Sequence, residues 1–248
     1  MAIICITNQK GGVGKTNCTV HTAFDFQERK LRVLFVDLDP QGNASFTLDN
    51  FKSKIVASDL FFKDNVKIEP NSEGITLISG DIKLIDVEKM SISEVGNRLV
   101  ENLDLNADSY DVCIIDTGPT LCVRLTAALF VSDYVFCPIE VEAYSMLGVD
   151  LMKRTIGNMS KANPNLINLG LVPSRVDKRN PLHVRNLESL QANHSDQLMP
   201  MVIGQRSSVG DALFKKTPVW KIRKSAARVA AKELRALAEH LFIKMELS

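Results

Sequence analysis

The segment that most restricts the fold of this chain is the glycine-rich loop Asn8–Thr16, which reads NQKGGVGKT. It follows an apolar run, Ile3–Ile6, that predicts a buried strand, and it precedes a helical pattern from Asn17 to about Arg29. A strand, a glycine curl and a helix N-terminus in this order point backbone amides at anionic oxygens. The loop therefore predicts a phosphate site in an α/β protein, whereas the alternative is a glycine turn that binds nothing.

Each residue type in the loop has a chemical reason to be there. The glycines supply backbone freedom that a Cβ would deny. Lys15 is placed to reach the β- and γ-phosphates, and the Thr16 hydroxyl to ligate Mg²⁺. The general phosphate-loop pattern starts with a glycine, but here Lys10 stands near that point and glycines follow it, so the form is a deviant one. We expect the nucleotide to contact Lys10, Gly11, Gly12, Val13, Gly14, Lys15, Thr16 and Asn17.

Two further apolar runs end in carboxylates. Leu31–Val36 predicts a strand that leads into Asp37–Asn43, and Tyr110–Ile115 predicts one that ends in Asp116. Open α/β sheets place ligands at the carboxyl ends of parallel strands. A strand that ends in Asp is common in any α/β protein. After a phosphate loop, however, it is typical of the Walker B motif, whose carboxylate holds Mg²⁺ directly or through water. The sequence thus predicts a site for a nucleotide and magnesium.

These motifs resemble those of the ParA/MinD family of ATPases. Lys10–Thr16 resembles the family's deviant Walker A box, and Asp37–Asn43, which reads DLDPQGN, resembles its A′ motif. The resemblance covers essentially the whole chain and is unclear only between Phe46 and Asn71. It implies ATP and Mg²⁺ as cofactors and an ATP-dependent homodimer.

The resemblance also assigns roles to individual residues. It implies that Lys10 reaches across the dimer to the phosphates of the partner's nucleotide and that Asp39 positions the attacking water. Residues 176–181 lie where relatives contact the adenine base, and the resemblance implies Pro173 and Arg175 as the contacts in this chain. The catalytic residues implied in this way are Lys10, Lys15 and Asp39, and the metal residues are Thr16, Asp37 and Asp116.

One position departs from the family pattern. Relatives usually read Asp-x-Pro-Pro after Walker B, but this chain has Gly118 in place of the first proline. The glycine is expected to loosen the loop that senses the γ-phosphate. Farther on, Arg124 is expected to face solvent rather than a partner.

The remaining pattern completes the predicted architecture, a mostly parallel twisted α/β sheet with helices on both faces, of the P-loop NTPase type. Helical spacing is present in residues 81–104, from about Ala143 to Lys161, and from about Ser225 to Lys244. In the last helix the residues expected mainly on one apolar face are Val229, Leu234, Leu237, Leu241 and Met245. We expect one domain, residues 1–248, in the short form that lacks an N-terminal helix-turn-helix. Further strands are predicted at residues 74–80, 134–140, 166–175 and 199–203.

Charge divides the chain into an acidic body and a basic end. Residues 204–248 hold ten Lys/Arg against four Asp/Glu, a net charge of +6, whereas the rest holds 20 basic and 25 acidic residues, a net charge of −5. A basic end predicts a polyanionic partner, although any single lysine is more simply part of a solvated face. The resemblance implies that this partner is DNA, and the residues expected to contact it are Arg206, Lys215, Lys216, Lys221, Arg223 and Lys224.

Composition places this chain among ordinary globular proteins. Apolar residues make up 45% of the sequence, and no apolar stretch approaches the ~20 residues of a membrane span. Five scattered cysteines predict buried free thiols in a reducing compartment. With no pattern typical of a signal peptide, we expect a cytoplasmic protein without stable membrane association.

The resemblance implies a biological role. ParA-type dimers coat nucleoid DNA without sequence preference, and a centromere-binding adaptor protein stimulates hydrolysis and releases them, which partitions plasmids or chromosomes. Alternatives remain open: a MinD-like membrane ATPase, a ParA-like ATPase that positions other cargo, and a DNA-binding module that uses ATP only to dimerise. A nitrogenase-type iron protein is disfavoured because Cys113 and Cys137 lie within predicted strands.

Overall fold

The structure is a computed structural model that describes residues 1–142 and 145–248, and the side chains of all of these residues except 145–153. The described strands form one sheet in which every pairing is parallel, in the order β3-β4-β2-β5-β1-β6-β7. The strands are β1 (Ala2–Ile6), β2 (Val33–Asp37), β3 (Lys52–Val56), β4 (Ile75–Ser79), β5 (Val112–Asp116), β6 (Tyr134–Glu140) and β7 (Ile167–Ser174).

Helices follow most of the strands, as expected where parallel strands need crossover connections. The described helices are α1 (Lys15–Glu28), α2 (Asn43–Thr47), α3 (Asp59–Phe62), α4 (Leu84–Val87), α5 (Ile92–Asp104), α6 (Val123–Val131), α7 (Ser145–Ala162), α8 (Pro181–His194), α9 (Ser207–Phe214) and α10 (Ser225–Lys244). None of them combines the length and the hydropathy needed to cross a bilayer.

Each central strand contributes to two hydrophobic cores because successive side chains point to opposite faces of a sheet. In β1, Ile3 and Cys5 join the core that includes residues of α5 and α6, whereas Ile4 and Ile6 join the core that includes residues of α1 and α10. Helices therefore cover both faces, and the predicted fold class is confirmed.

Several local predictions were wrong. Met199–Ile203 is extended but is no strand, because Pro200 has no N–H for a ladder, and only the amides of Met199 and Ile203 bond to β7 carbonyls. The strand β3 was not predicted, because its exposed lysines, which are typical of a sheet edge, leave no regular alternation of apolar and polar residues. The helical spacing predicted for residues 81–104 is confirmed, although a turn divides the segment into two helices, α4 and α5.

The last helix begins and ends where it was predicted, and its predicted apolar face is buried at every position except Val229. Val229 is about half exposed, and the buried positions of α10 include Ala230, Leu234, Leu237 and Leu241. Small alanines let α10 pack closely against α1. As predicted, the described cysteines are free thiols, and only Cys122 is not fully buried. Residues 143 and 144, at the start of the helix predicted from about Ala143, lie outside the described residues.

Candidate nucleotide site

The glycine loop curls between the end of β1 and the start of α1. Gly12 and Gly14 have φ angles of 78° and 93°, which side chains rarely adopt. A Cβ on Gly14 would also lie 2.7 Å from the Ser174 hydroxyl. Gly14 caps α1 without a side-chain hydrogen bond, so the first amides of the helix remain available to an anion. The loop therefore has the backbone of a phosphate cradle.

The Lys15 ammonium lies inside this curl. The residue is only 7% exposed, and its Nζ donates hydrogen bonds to the carbonyls of Asn8 at 3.0 Å and Lys10 at 3.3 Å. Burial lowers the pKa of Lys15, and the charges of Asp116 and Asp39 oppose that effect. A desolvated cation fixed by loop carbonyls is suited to bind phosphate oxygens that replace the lost water.

Two buried carboxylates lie side by side next to the loop, because Asp37 and Asp116 are paired residues of adjacent strands β2 and β5. The Thr16 hydroxyl donates to Oδ2 of Asp116 at 2.9 Å, whereas the buried Oδ1 has no hydrogen-bond partner among the described residues. Burial, and then the neighbouring Asp37, raises the pKa of Asp116 to about 8. Burial likewise raises the pKa of Asp37 to about 6.

This group of oxygens fits a divalent cation. Two carboxylates that resist ionisation together need a positive charge nearby, and the unpaired Oδ1 of Asp116 is a vacant acceptor position. Mg²⁺ prefers oxygen ligands and retains several waters, so a hydroxyl and one or two carboxylates suffice from the protein. Thr16, Asp37 and Asp116 are thus brought together as the sequence predicted.

The A′ segment is fixed by hydrogen bonds that begin at Asp37. Its Oδ2 accepts from the amide of Ser45 at 2.8 Å and from the hydroxyl at 2.7 Å. The same hydroxyl accepts from the Gly80 amide at 2.8 Å, which ties α2 to the end of β4. Asp39 lies beside this anchor, where its Oδ1 accepts from the Gln41 amide at 3.0 Å. Its carboxylate lines the same cavity as the glycine loop.

The glycine that replaces a family proline lies against this carboxylate. A Cβ on Gly118 would lie 3.6 Å from Oδ1 of Asp39, which is ordinary van der Waals contact. A side chain is therefore not excluded there by space, and the predicted looser loop stays a prediction.

Lys10, unlike Lys15, points away from the curl. Its Nζ lies 2.8 Å from Glu140 and 2.5 Å from Glu142, and its side chain is 52% exposed. The hydrogen bond to Glu140, followed by that to Glu142, raises the pKa of Lys10. In the single chain the ammonium is therefore held by carboxylates of its own subunit. Its reach across a dimer stays a prediction.

Arg175 lies on the outside of the same loop. It has a φ of 56° despite its side chain, and its Nη1 donates to the Gly12 carbonyl at 2.5 Å. Its Nε lies 3.5 Å from Glu140, so this carboxylate joins Arg175 and Lys10. Pro173 is buried in β7 opposite Ile139 and does not line the cavity. The predicted adenine contacts stay predictions.

A cavity of about 520 Å³ joins these parts, which is within the range of small-ligand sites. Val13, predicted to contact nucleotide, is buried and does not line it. The lining includes residues that sequence reasoning missed, among them Phe46 on α2 and Phe214 on α9. No sequence signal separated these two from core phenylalanines. The lining is Gly11, Gly12, Gly14, Lys15, Thr16, Asn17, Asp39, Gln41, Asn43, Phe46, Thr47, Thr117, Pro119, Arg175, Leu213 and Phe214.

Half of the predicted DNA contacts are engaged in ion pairs. Arg206 makes a double hydrogen bond to Glu233 at 2.5 and 2.8 Å. Lys216 bonds to Asp49 at 2.9 Å, and Lys224 lies 2.5 Å from Asp211. The other three side chains are exposed and form no ion pair with any described residue: Lys215, Lys221 and Arg223.

Arg124 corrects an expectation. It was expected to face solvent, but it is only 9% exposed. Its Nη1 donates to the Leu84 carbonyl at 2.6 Å, and its Nε lies 3.0 Å from Glu88. Arg124 thus holds α4 against the start of α6, since a buried guanidinium requires such partners.

Comparisons with known proteins agree with this site. The family AAA_31, described as an AAA domain, matches residues 1–168. Protein IncC of Escherichia coli is 46% identical over 245 residues, which cover 97% of this chain and 68% of the relative. Chromosome partitioning protein ParA of Caulobacter vibrioides is 28% identical over 223 residues, which cover 86% of this chain and 84% of the relative.

A solved structure extends the likeness to three dimensions. Cobyrinic acid a,c-diamide synthase from Mycobacterium smegmatis, with bound ADP and magnesium, has a TM-score of 0.75 and 25% identity. The match covers 98% of this chain and 96% of that one. The family match spans more than half of the chain, and IncC is well above 30% identity. The chain therefore belongs to the ParA-type partition ATPases of the AAA_31 family and is an ATP hydrolase.

Proposed function

We propose that this protein forms an ATP-dependent dimer that binds DNA without sequence preference and releases it on hydrolysis. The observation that carries this proposal is the separation of two lysines in one loop. Lys15 is buried in the phosphate curl, whereas Lys10 is exposed at the outer edge of the loop. In the proposed dimer, Lys15 binds the phosphates of its own subunit's nucleotide, and Lys10 contacts the phosphates of the partner's nucleotide.

Hydrolysis of ATP requires charge neutralisation and a positioned water more than covalent chemistry. Lys15 and the amides at the start of α1 bind the phosphates. Thr16, Asp37 and Asp116 would hold Mg²⁺, which when bound neutralises charge on the phosphates. Asp39 lines the cavity and is proposed to orient the attacking water.

Lys10 supplies the step that depends on dimerisation. In the proposed dimer its ammonium leaves Glu140 and Glu142 and stabilises charge on the partner's phosphates, as arginine fingers do in other NTPases. The isolated subunit would lack that cation, so hydrolysis would be slow alone. An adaptor protein would stimulate hydrolysis by favouring the assembled state.

The DNA surface is proposed to centre on the exposed cations Lys215, Lys221 and Arg223. They lie between and beside α9 and α10, at the basic end of the chain. Non-specific DNA binding is largely phosphate neutralisation by such side chains. The apolar face of α10 is buried against α1, which favours this surface over membrane binding by the helix. The proposed location is the nucleoid within the cytoplasm.

The test is DNA binding by fluorescence anisotropy with unrelated duplexes, in ADP and in a non-hydrolysable ATP analogue. We expect binding only with the analogue, little difference between duplexes, and log affinity that falls linearly with log salt concentration. Replacing Lys215, Lys221 and Arg223 by alanine should weaken binding about tenfold or more and reduce the salt slope by about 0.9 per lost phosphate contact.

A charge-matched control distinguishes the surface from overall charge. Lys52, Lys54 and Lys67 are exposed lysines elsewhere on the chain, and their replacement by alanine should leave DNA affinity nearly unchanged. Equal losses in both triple variants would contradict a local DNA surface. Equal binding in ADP and in the ATP analogue would contradict the ATP-dependent cycle.

A further inference from the structure

We propose that Phe214, supported by Phe46, stacks against the base of the nucleotide whose phosphates the glycine loop binds. The inference rests on the nucleotide site of the proposed function and requires neither dimerisation nor DNA binding. Both phenylalanines line the cavity that contains Gly12, Lys15 and Thr16. They add a binding element that none of the sequence motifs contains.

The two rings form an exposed aromatic pair. Their centroids are 6.2 Å apart with an interplanar angle of 34°. Phe214 is 76% exposed and Phe46 is 50% exposed, although one ends α9 and the other lies in α2. Large apolar rings exposed together in a ligand cavity indicate a binding surface rather than core packing.

The position of the pair favours the base over the phosphates. The glycine loop and Lys15 form the polar part of the cavity. Phenylalanine rings have neither a hydrogen-bond donor nor a positive charge with which to bind a phosphate. A nucleobase is flat and apolar on its faces, so it gains from stacking on an aromatic side chain. Polar side chains of Asn17, Asn43 and Thr47 line the same cavity and are available to the edges of a base or to a ribose.

The two rings have different parts in this arrangement. The Lys216 ammonium lies 5.1 Å from the centroid of Phe46, and its ion pair with Asp49 holds it there. Phe46 is therefore packed by a cation and by the second ring. Phe214 retains most of its surface, so it is the ring that accepts the base, and Phe46 positions it.

If Phe214 stacks on the base, its contribution to affinity should depend on the presence of a base in the ligand. Every base has a π-face, so the contribution should be similar for ATP, ADP and GTP. A tripolyphosphate has no base, and its binding should be independent of Phe214. The proposal thus separates the base-binding contribution from that of the phosphate cradle.

The experiment compares wild type with Phe214→Ala by displacement of a fluorescent ATP analogue. Loss of one base-stacking contact should raise the Kd of ATP, ADP and GTP by about five- to 150-fold, with the Kd of tripolyphosphate unchanged. Phe214→Tyr should restore tight binding. Phe62→Ala, which removes a half-exposed ring on α3 outside the cavity, is the matched control and should bind like wild type.

Thermal unfolding of each variant checks the fold, and little change is expected because Phe214 is exposed. Unchanged ATP affinity in Phe214→Ala would overturn the proposal. So would an equal loss of tripolyphosphate binding, or a loss of dimerisation with normal ATP affinity, which would make the rings a protein interface. Normal DNA binding by that variant at saturating ATP would leave the proposed function intact, whereas a wild type that binds no ATP would overturn both.

Discussion

Two groups of residues lie in or next to the glycine loop and its cavity, and they differ in how the chain holds them. The inner group (Lys15, Thr16, Asp37 and Asp116) is largely buried and is anchored at strand ends or in the first turn of α1. The outer group (Lys10, Glu142, Arg175 and Phe214) is much more exposed. The inner group is fixed by the fold itself, whereas the outer group is open to whatever joins the site.

The largest effect should follow a change in the inner group. Lys15→Ala removes the buried cation of the curl, and we expect kcat/KM for ATP to fall at least about 1000-fold. ATP binding, measured by displacement of a fluorescent analogue, should weaken as well. Lys52→Ala, on the exposed edge strand β3, is the control and should retain activity. Retained ATP binding in Lys15→Ala would mean that the inner group is structural.

A change in the outer group should separate binding from turnover. Lys10→Ala should bind ATP within about threefold of wild type but hydrolyse it about 100-fold more slowly, because the lost cation acts only in the transition state. Phosphate release with saturating ATP, and dimerisation by light scattering, measure the two effects. A variant that hydrolyses ATP and dimerises like wild type would erase the proposed difference between the two lysines.

The smallest effect concerns pH. Burial and the neighbouring Asp37 raise the pKa of Asp116. Ionisation of Asp116 therefore lowers the stability of the folded protein as pH rises from about 4 to about 8. Asp116→Asn keeps an acceptor for Thr16 and removes that charge. Without nucleotide, the variant should unfold about 5 °C higher than wild type at pH 8, which corresponds to about 2 kcal/mol of removed destabilisation, and the gain should be much smaller at pH 5.

Neutralising a carboxylate of the outer group should not stabilise the protein as neutralising Asp116 does. The pKa of Glu142 is lowered by Lys10, so its ionised form is the one that contributes to stability. Glu142→Gln should therefore not raise the unfolding temperature at pH 8. Differential scanning calorimetry at pH 5 and pH 8 measures the unfolding temperatures of both variants. An equal rise in the unfolding temperature of Asp116→Asn at the two pH values would exclude ionisation of the buried carboxylate as the cause.

The inner group was predictable because its geometry is local. Lys15 and Thr16 follow the curl directly, and Asp37 and Asp116 end apolar strands that parallel pairing brings together. Spacing along the chain was enough to place them. Sheet edges and long helices were less predictable, as β3 and the divided pattern of residues 81–104 illustrate.

The outer group depends on contacts between distant parts of the chain. Lys10 meets Glu142 across 132 positions, and Arg175 meets Gly12 across 163. Nothing in the order of the residues specifies those pairs. Phe214 reads as an ordinary apolar residue at the end of a helix, and only the structure places it at the cavity.

The tethering of Lys10 to Glu140 and Glu142 has a consequence for a population of molecules. A single subunit with bound ATP would hydrolyse it slowly. The Lys10 that would accelerate hydrolysis belongs to a second subunit, where it remains paired with Glu140 and Glu142 until the two subunits meet. Under the proposed function, consumption of ATP would therefore report local crowding. The protein would idle where copies are sparse and become active where they accumulate.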